Sequence, residues 1–252
     1  MEEDNKKISE NFVQWFSNLN KEEINKTGEK GAYLSELYNN KFPVPNGFII
    51  TTQCYNKFME SANLKEKIFA LLNNLDIKDI ERIKEISEKI RKLIISTELP
   101  EDIKENILES YEALSTDKLE IEKGTALDIL NNATEPAFVA IRSSLKNPVK
   151  TKIREQDTYL NIKGNDQLLH HTKKCFASLF REETIIRAIQ HKNINKLEMA
   201  IVIQKMIQSD KSGKIYSTNN KGLTTIKSIW GIGRKNVIRK QHSRHASDIQ
   251  KS

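Results

Sequence analysis

Phe138-Val-Ala-Ile-Arg-Ser-Ser144 decides how the chain is read. Four residues with strand preference, apolar and partly β-branched or aromatic, run straight into an arginine and two hydroxyls. A buried strand that ends this way delivers a fixed guanidinium and two small donors to one edge of a sheet. The guanidinium is a planar fork of donors that suits phosphate oxygens, and strand ends in α/β sheets are where ligands usually sit. Taken alone, the pattern has a simpler reading: a strand, a polar turn, and Arg142 in a salt bridge. The company it keeps along the chain decides between the two.

Composition narrows the setting. The 252 residues suffice for one large domain or two small ones, and 30 % charged against 37 % hydrophobic residues suits a soluble, mostly helical protein. No run of about 18 apolar residues is present, so no membrane span is expected. The charged start Met1-Glu-Glu-Asp-Asn-Lys-Lys is not a secretory signal. Cys54 and Cys175 give neither a disulfide framework nor metal-ligand spacing, which points to a reducing cytoplasm. The net charge of +7 raises the question of nucleic acid. However, residues 234–252 hold six Lys or Arg against one Asp, leaving the other 233 residues at +2. That tail has no aromatic residue for base stacking, so it reads as a disordered, solvated basic extension and nucleic-acid binding is not expected.

In chain order, residues 8–19 read as a helix with Phe12, Phe16 and Leu19 on one side. Lys26-Thr-Gly-Glu-Lys-Gly31 then leads into a helix with Leu34, Leu37 and Tyr38 inward. A lysine bracketed by glycines at a helix start is a phosphate-contact candidate, because backbone N–H groups point outward there. Phe42-Pro-Val-Pro-Asn-Gly47 is a rigid turn before a short strand at 48–50. Thr51 or Thr52 caps a helix to about residue 62 that buries Tyr55, Phe58 and Met59. Residues 64–116 are helical by period, with Ile80, Ile83, Ile86, Ile90, Leu93 and Ile94 as one stripe and a break at Glu98-Leu-Pro100. Beyond the Arg-Ser-Ser strand, residues 145–155 form a basic loop and 156–162 return as a strand. Asn165 or Asp166 caps a long helix to about residue 190, on which His170 and His171 lack metal spacing. Residues 198–207 form a strand that turns at 209–213 into a hairpin partner at 214–218, and 224–230 form another strand. The expected divisions are a mainly helical segment 1–135, an α+β segment 136–233 and the tail 234–252.

Taken together, these stretches resemble the N-terminal ATP-binding domain of phosphoenolpyruvate synthase (pyruvate, water dikinase) and of the wider family that includes pyruvate phosphate dikinase. The resemblance is carried, in the family's order, by Gly28-Glu-Lys-Gly-Ala-Tyr-Leu-Ser-Glu-Leu37, Phe42-Pro-Val-Pro-Asn-Gly-Phe-Ile-Ile-Thr-Thr52 and Val139-Ala-Ile-Arg-Ser-Ser144. It continues through Gln156-Asp-Thr-Tyr-Leu-Asn-Ile-Lys-Gly164, Lys174-Cys-Phe-Ala-Ser-Leu-Phe180, Val202-Ile-Gln-Lys-Met206, Ser212-Gly213 and Trp230-Gly-Ile-Gly233. It implies an α+β, ATP-grasp-like fold with a helical N-terminal portion, C-terminally incomplete. Carried over residue by residue, Lys30 contacts the nucleotide phosphates, Arg142 holds them during transfer, and the strand around Gln204 and Met206 lines the adenine pocket. The implied cofactors are ATP and Mg2+. The implied partner is a phosphohistidine and pyruvate-binding portion on a separate domain or subunit.

The departures from the family are specific. The loop Leu145–Glu155 is short, basic and glycine-free, and so lacks the backbone freedom that lets a chain approach phosphate closely. Arg234 stands where the family has a Glu after Trp-Gly-Leu-Gly, and the family's later acidic and Gln metal ligands do not follow. The expected function is therefore the ATP-binding portion of such a dikinase, unable to complete the reaction alone. A non-catalytic nucleotide-binding or interaction protein on the same scaffold is the alternative.

Overall fold

The computed structural model describes residues 11–73, 75–116, 135–146, 157–191, 193–194, 197–216 and 224–231. The chain divides into two units, Met1–Met206 and Ile207–Ser252.

The first unit is α+β. Its helices are α1 Ile24–Asn39, α2 Thr52–Ser61, α3 Leu64–Leu72, α4 Ile80–Ser96, α5 Glu101–Ser115, α6 Asn165–Ala177 and α7 Glu182–Gln190. Its strands are β1 Val13–Trp15, β2 Gly47–Ile50, β3 Val139–Leu145, β4 Thr158–Ile162 and β5 Met199–Lys205. They form one sheet in the order β1-β2-β5-β3-β4 with every neighbouring pair antiparallel. The central strand β5 is apolar at almost every position because both of its faces are covered. Met199, Ile201 and Ile203 enter a large core with helices α2 to α7, whereas Ala200 and Val202 enter a smaller one with Ile49, Phe16 and Leu19. In the large core Phe176 of α6 packs against Tyr55 and Phe58 of α2, with ring centroids 5.3 and 5.9 Å apart.

The α+β class stands as read from the sequence, and several local readings are corrected. Residues 8–19 were expected to be a helix; instead β1 and a 3₁₀ turn at Phe16–Asn18 occupy the described part. Phe12 belongs to the large core while Phe16 and Leu19 belong to the small one, so the chain crosses the sheet edge rather than laying one stripe on one side. The helix expected to bury Leu34, Leu37 and Tyr38 instead buries Gly28, Gly31, Ala32 and Ser35. These small residues let α1 approach the sheet closely: a Cβ on Gly31 would lie 2.7 Å from the Ile49 Cδ1. Leu34 and Tyr38 flank that contact, and Leu37 is largely exposed. Ile80, expected in the apolar stripe of α4, is exposed at its first turn. The long helix of 165–190 is two helices separated by a 3₁₀ turn at Ser178–Phe180. Finally, β5 pairs with β2 and β3, and the described part of the expected hairpin partner, up to Tyr216, pairs instead with residues 225–230. Because the sheet draws strands from both 13–50 and 139–205, its continuity runs across the expected boundary at residue 135.

The second unit contains an antiparallel hairpin, β6 Lys211–Tyr216 with β7 Thr225–Trp230, in register from Lys211↔Trp230 to Tyr216↔Thr225. Ile215, Ile226 and Trp230 share one exposed face. The basic tail and most of the 145–155 loop lie outside the described residues.

Candidate anion-binding site

The site begins at a break in α1. Gly28 has φ +68° and ψ 168°, a conformation open essentially to glycine. There the helix meets the end of β3. A Cβ on Gly28 would run into the carbonyl and hydroxyl oxygens of Ser144. Into this tight junction Ser144 sends its hydroxyl, which donates to the Thr27 carbonyl (2.7 Å) and accepts from the Gly31 N–H (2.9 Å). One small side chain thus satisfies a buried acceptor and one of the N–H groups left over at a helix start. Two residues on from the break, the Lys30 ammonium donates to the Ser143 carbonyl at 2.8 Å. The glycine-bracketed lysine and the Arg-Ser-Ser strand end, 113 residues apart in sequence, are therefore in direct contact.

Arg142 sits on β3 between Val202 of β5 and Thr158 of β4. Strand alternation places it on the same face as Ser144, the face that α1 covers. It is half-buried, and its guanidinium has no hydrogen-bond or ion-pair partner among the described residues. Gln204 and Met206 lie toward the other end of the same strand pair. Gln204 stands opposite Ala140, is buried, and donates its amide to the Pro45 carbonyl at 3.2 Å. Met206 follows β5, with its N–H bonded to the Phe138 carbonyl at 2.8 Å. The structure thus joins Lys30 to the Ser143–Ser144 end; at the usual strand rise Gln204, opposite Ala140, lies roughly 10–13 Å away along β3 and Met206, beside Phe138, roughly 17–20 Å away.

A cluster not read from the sequence borders the Lys30 end. Asp157 accepts from Arg181 through one carboxylate oxygen and from the Tyr159 hydroxyl (2.7 Å) through the other. Burial first, and then the Asp157 hydrogen bond, pushes the Tyr159 phenol well above its ordinary range, so it stays a neutral donor. Beneath it the Cys175 thiol is buried and also pushed up, chiefly by desolvation. The ring of His171 packs on Tyr159 with centroids 4.9 Å apart. Among the described residues no group of three or more His, Cys, Asp or Glu is placed to hold a metal ion.

A lysine, a half-buried arginine and a helix start thus lie at one end of β3 in an α+β domain. Residues 24–245 match the family described as pyruvate phosphate dikinase, AMP/ATP-binding domain, and the chain belongs to that family. It is 34 % identical over 229 residues to the probable phosphoenolpyruvate synthase of Methanothermobacter thermautotrophicus, covering 88 % of this chain and 31 % of that protein. To the phosphoenolpyruvate synthase of Helicobacter pylori it is 35 % identical over 241 residues, 90 % of this chain and 28 % of the relative. The chain thus spans less than a third of the length of these relatives.

Proposed function

We propose that this chain is the ATP-binding portion of a phosphoenolpyruvate synthase-like dikinase, with an ATP-grasp-like arrangement around the nucleotide. Lys30 and Arg142 take the phosphates, and the strand end at Gln204 and Met206 lies beside the adenine. The observation that carries this reading is the Lys30–Ser143 contact beside the Ser144 bracket. It fixes an ammonium at a helix start and on the same strand end as Arg142. Charge-assisted donors of this kind are the strong ligands for phosphate oxygens. The overall reaction we assign to the complete assembly is ATP, pyruvate and water to AMP, phosphoenolpyruvate and phosphate. It requires a phosphohistidine and pyruvate-binding portion beyond the residues described. Magnesium would arrive on the nucleotide phosphates; the described residues do not form a ligand set for it. Two buried free cysteines fit a reducing cytoplasm, and no helix among the described residues is long and apolar enough to cross a membrane.

Calorimetric titration with ATP tests the reading. Arg142→Ala should weaken binding by about ten- to a hundredfold, the loss of one charge-assisted contact. Its melting temperature should stay close to the parent's, because the side chain is only half-buried and carries no partner among the described residues. Parent-like affinity in that variant, or outright unfolding, would return Arg142 to a structural role. The glycine-free 145–155 loop favours a second reading, a nucleotide-binding protein without catalysis. Magnesium-dependent AMP release with a relative's phosphohistidine domain added in trans separates the two.

A further inference from the structure

We propose that the Phe138 ring is the stacking platform for the base of the nucleotide, at the opposite end of β3 from the phosphates. The inference rests on the nucleotide reading above and adds to it a specificity residue that the family resemblance does not assign.

Alternation along β3 puts Phe138 on the face of Arg142. Val139 and Ile141 enter the large core, so Ala140 and Arg142 point the other way. The ladder with β5 runs unbroken from Val139↔Lys205 to Leu145↔Met199, and the Met206 N–H bonded to the Phe138 carbonyl extends it by one pair. Phe138 therefore shares the Arg142 face, four residues and about 13 Å along the strand. Met206 stands beside Phe138 on that face, and Gln204 beside Ala140. On the other flank Ile162 of β4 pairs with Val139 and enters the large core. Lys163, the next residue, sets its ammonium 5.0 Å from the centroid of the Phe138 ring.

The ring is exposed while the backbone that carries it is fixed. Phe138 is 42 % exposed at the head of a strand that is buried at every position but Arg142. A single exposed apolar residue is ordinary on a protein surface, but this one is pinned from both sides. The Ala137 carbonyl accepts from the Tyr111 hydroxyl at 2.6 Å, and the Ala137 N–H donates to the Ser115 hydroxyl at 2.9 Å. The Phe138 carbonyl holds the Met206 N–H at 2.8 Å, and Glu135 holds the Lys163 ammonium at 2.7 Å. A side chain fixed before its ligand arrives loses little freedom on binding.

The occupant follows from what shares the face. A phenyl ring offers a π-face to any nucleobase. Neither Gln204, whose amide is bonded to the Pro45 carbonyl, nor Met206 has a ring to offer. At the far end of the same face the Arg142 guanidinium has no partner among the described residues. The separation of about 13 Å suits a nucleoside triphosphate laid along β3, with phosphate oxygens at Arg142 and the base on Phe138.

A hydrophobic cap that merely steadies the strand end is the competing role. Calorimetry on the full chain compares ATP with inorganic tripolyphosphate, which has no base to stack. Phe138→Leu should bind ATP about five- to a hundredfold more weakly, the loss of one base–aromatic stack, and should keep its affinity for tripolyphosphate. Phe138→Tyr restores a ring and should recover the affinity that Phe138→Leu loses. Phe138→Trp places an indole at the platform. ATP should change its fluorescence beyond the change seen in the parent, whose Trp15 and Trp230 set the background, and tripolyphosphate should not.

Parent-like ATP affinity in Phe138→Leu, while Arg142→Ala is weakened, would overturn this inference and leave the nucleotide reading standing. Equal losses for ATP and tripolyphosphate would overturn it in favour of the cap. Should Phe138→Leu fail to fold, the Phe138→Trp chain decides: a fluorescence change specific to ATP supports the platform, and its absence overturns it. Absence of saturable ATP binding by the parent would overturn both readings.

Discussion

Gly28→Ala probes the junction on which the site depends, and Gly164→Ala is its internal control. Gly28 has φ +68° and ψ 168°; Gly164, just before α6, has φ +89° and ψ 156°. An alanine at either position must adopt a conformation that costs about 1–3 kcal/mol, offset by up to about 1 kcal/mol from the stiffer unfolded chain. The surroundings differ. A Cβ on Gly164 meets nothing within 4 Å, whereas one on Gly28 meets the carbonyl carbon, carbonyl oxygen and hydroxyl of Ser144. Ser144 is held in register against Ala200 and cannot swing aside as a flexible side chain would. Overpacking against such a wall costs about 1–3 kcal/mol. If Ser144 yields, its bonds to Thr27 and Gly31 go with it, at a similar cost. Gly28→Ala should therefore be less stable than Gly164→Ala by about 2–4 kcal/mol. Urea unfolding of both variants with unchanged slopes reads this difference directly from the midpoints. Gly28→Ala should also lose ATP affinity, because Lys30 is carried by the displaced turn. Equal midpoint losses in the two variants would refute the close helix–strand contact, and with it the positioning of Lys30.

The two hydroxyls of the Arg-Ser-Ser strand end should respond oppositely. Ser144→Ala strands a buried N–H and a buried carbonyl and should cost about 1–3 kcal/mol. Ser143→Ala removes a buried hydroxyl that has no hydrogen-bond partner and should be neutral or slightly stabilising in the same urea assay. Tyr111→Phe deletes a hydroxyl that donates to the Ala137 carbonyl (2.6 Å) and accepts from the Gly164 N–H (2.9 Å), so a loss of about 1–3 kcal/mol is expected. Alkaline pH should destabilise the fold. Burial raises the thiols of Cys54 and Cys175 above their ordinary 9.0 and the phenol of Tyr55 above 10.0. A folded pKa above the unfolded one gives stability that is intact below the unfolded value and lost as pH rises past it. Unfolding midpoints should therefore fall from about pH 9 upward, and a Cys54→Ala/Cys175→Ala chain should show a shallower decline between 9 and 10.

Local pattern carried much of the architecture. The stripe of Ile83, Ile86, Ile90 and Ile94 gave α4, and Thr51 caps α2 through a bond from the Cys54 N–H. Phe48-Ile-Ile50 and Met199–Lys205 were legible as buried strands. What misled was pattern without context. Phe12, Phe16 and Leu19 fit a helical stripe, yet a chain crossing a sheet edge spaces its apolar residues similarly. In α1 the large residues looked like the inner face, but a helix pressed close to a sheet buries its smallest residues, and hydrophobicity does not register that choice. Lys30 and Arg142 were visible as phosphate-type residues. Asp157 and Arg181 were not, because one lay within a strand and the other inside a stretch that read as uninterrupted helix.

By itself the sequence determined the α+β class, the positions of most helices and strands, the chemistry available at Lys30 and Arg142, and the family to which these motifs belong. These properties depend on turn chemistry and on periods that repeat within a few residues. Only the tertiary structure decided that β5 lies between β2 and β3, that Ser144 closes the break in α1, and that Arg181 meets Asp157 across 24 residues. Strand order and side-chain meetings are settled by which surfaces can be buried together without stranding a polar group. That condition links residues 113 positions apart, as at Lys30 and Ser143, and no local window contains both partners.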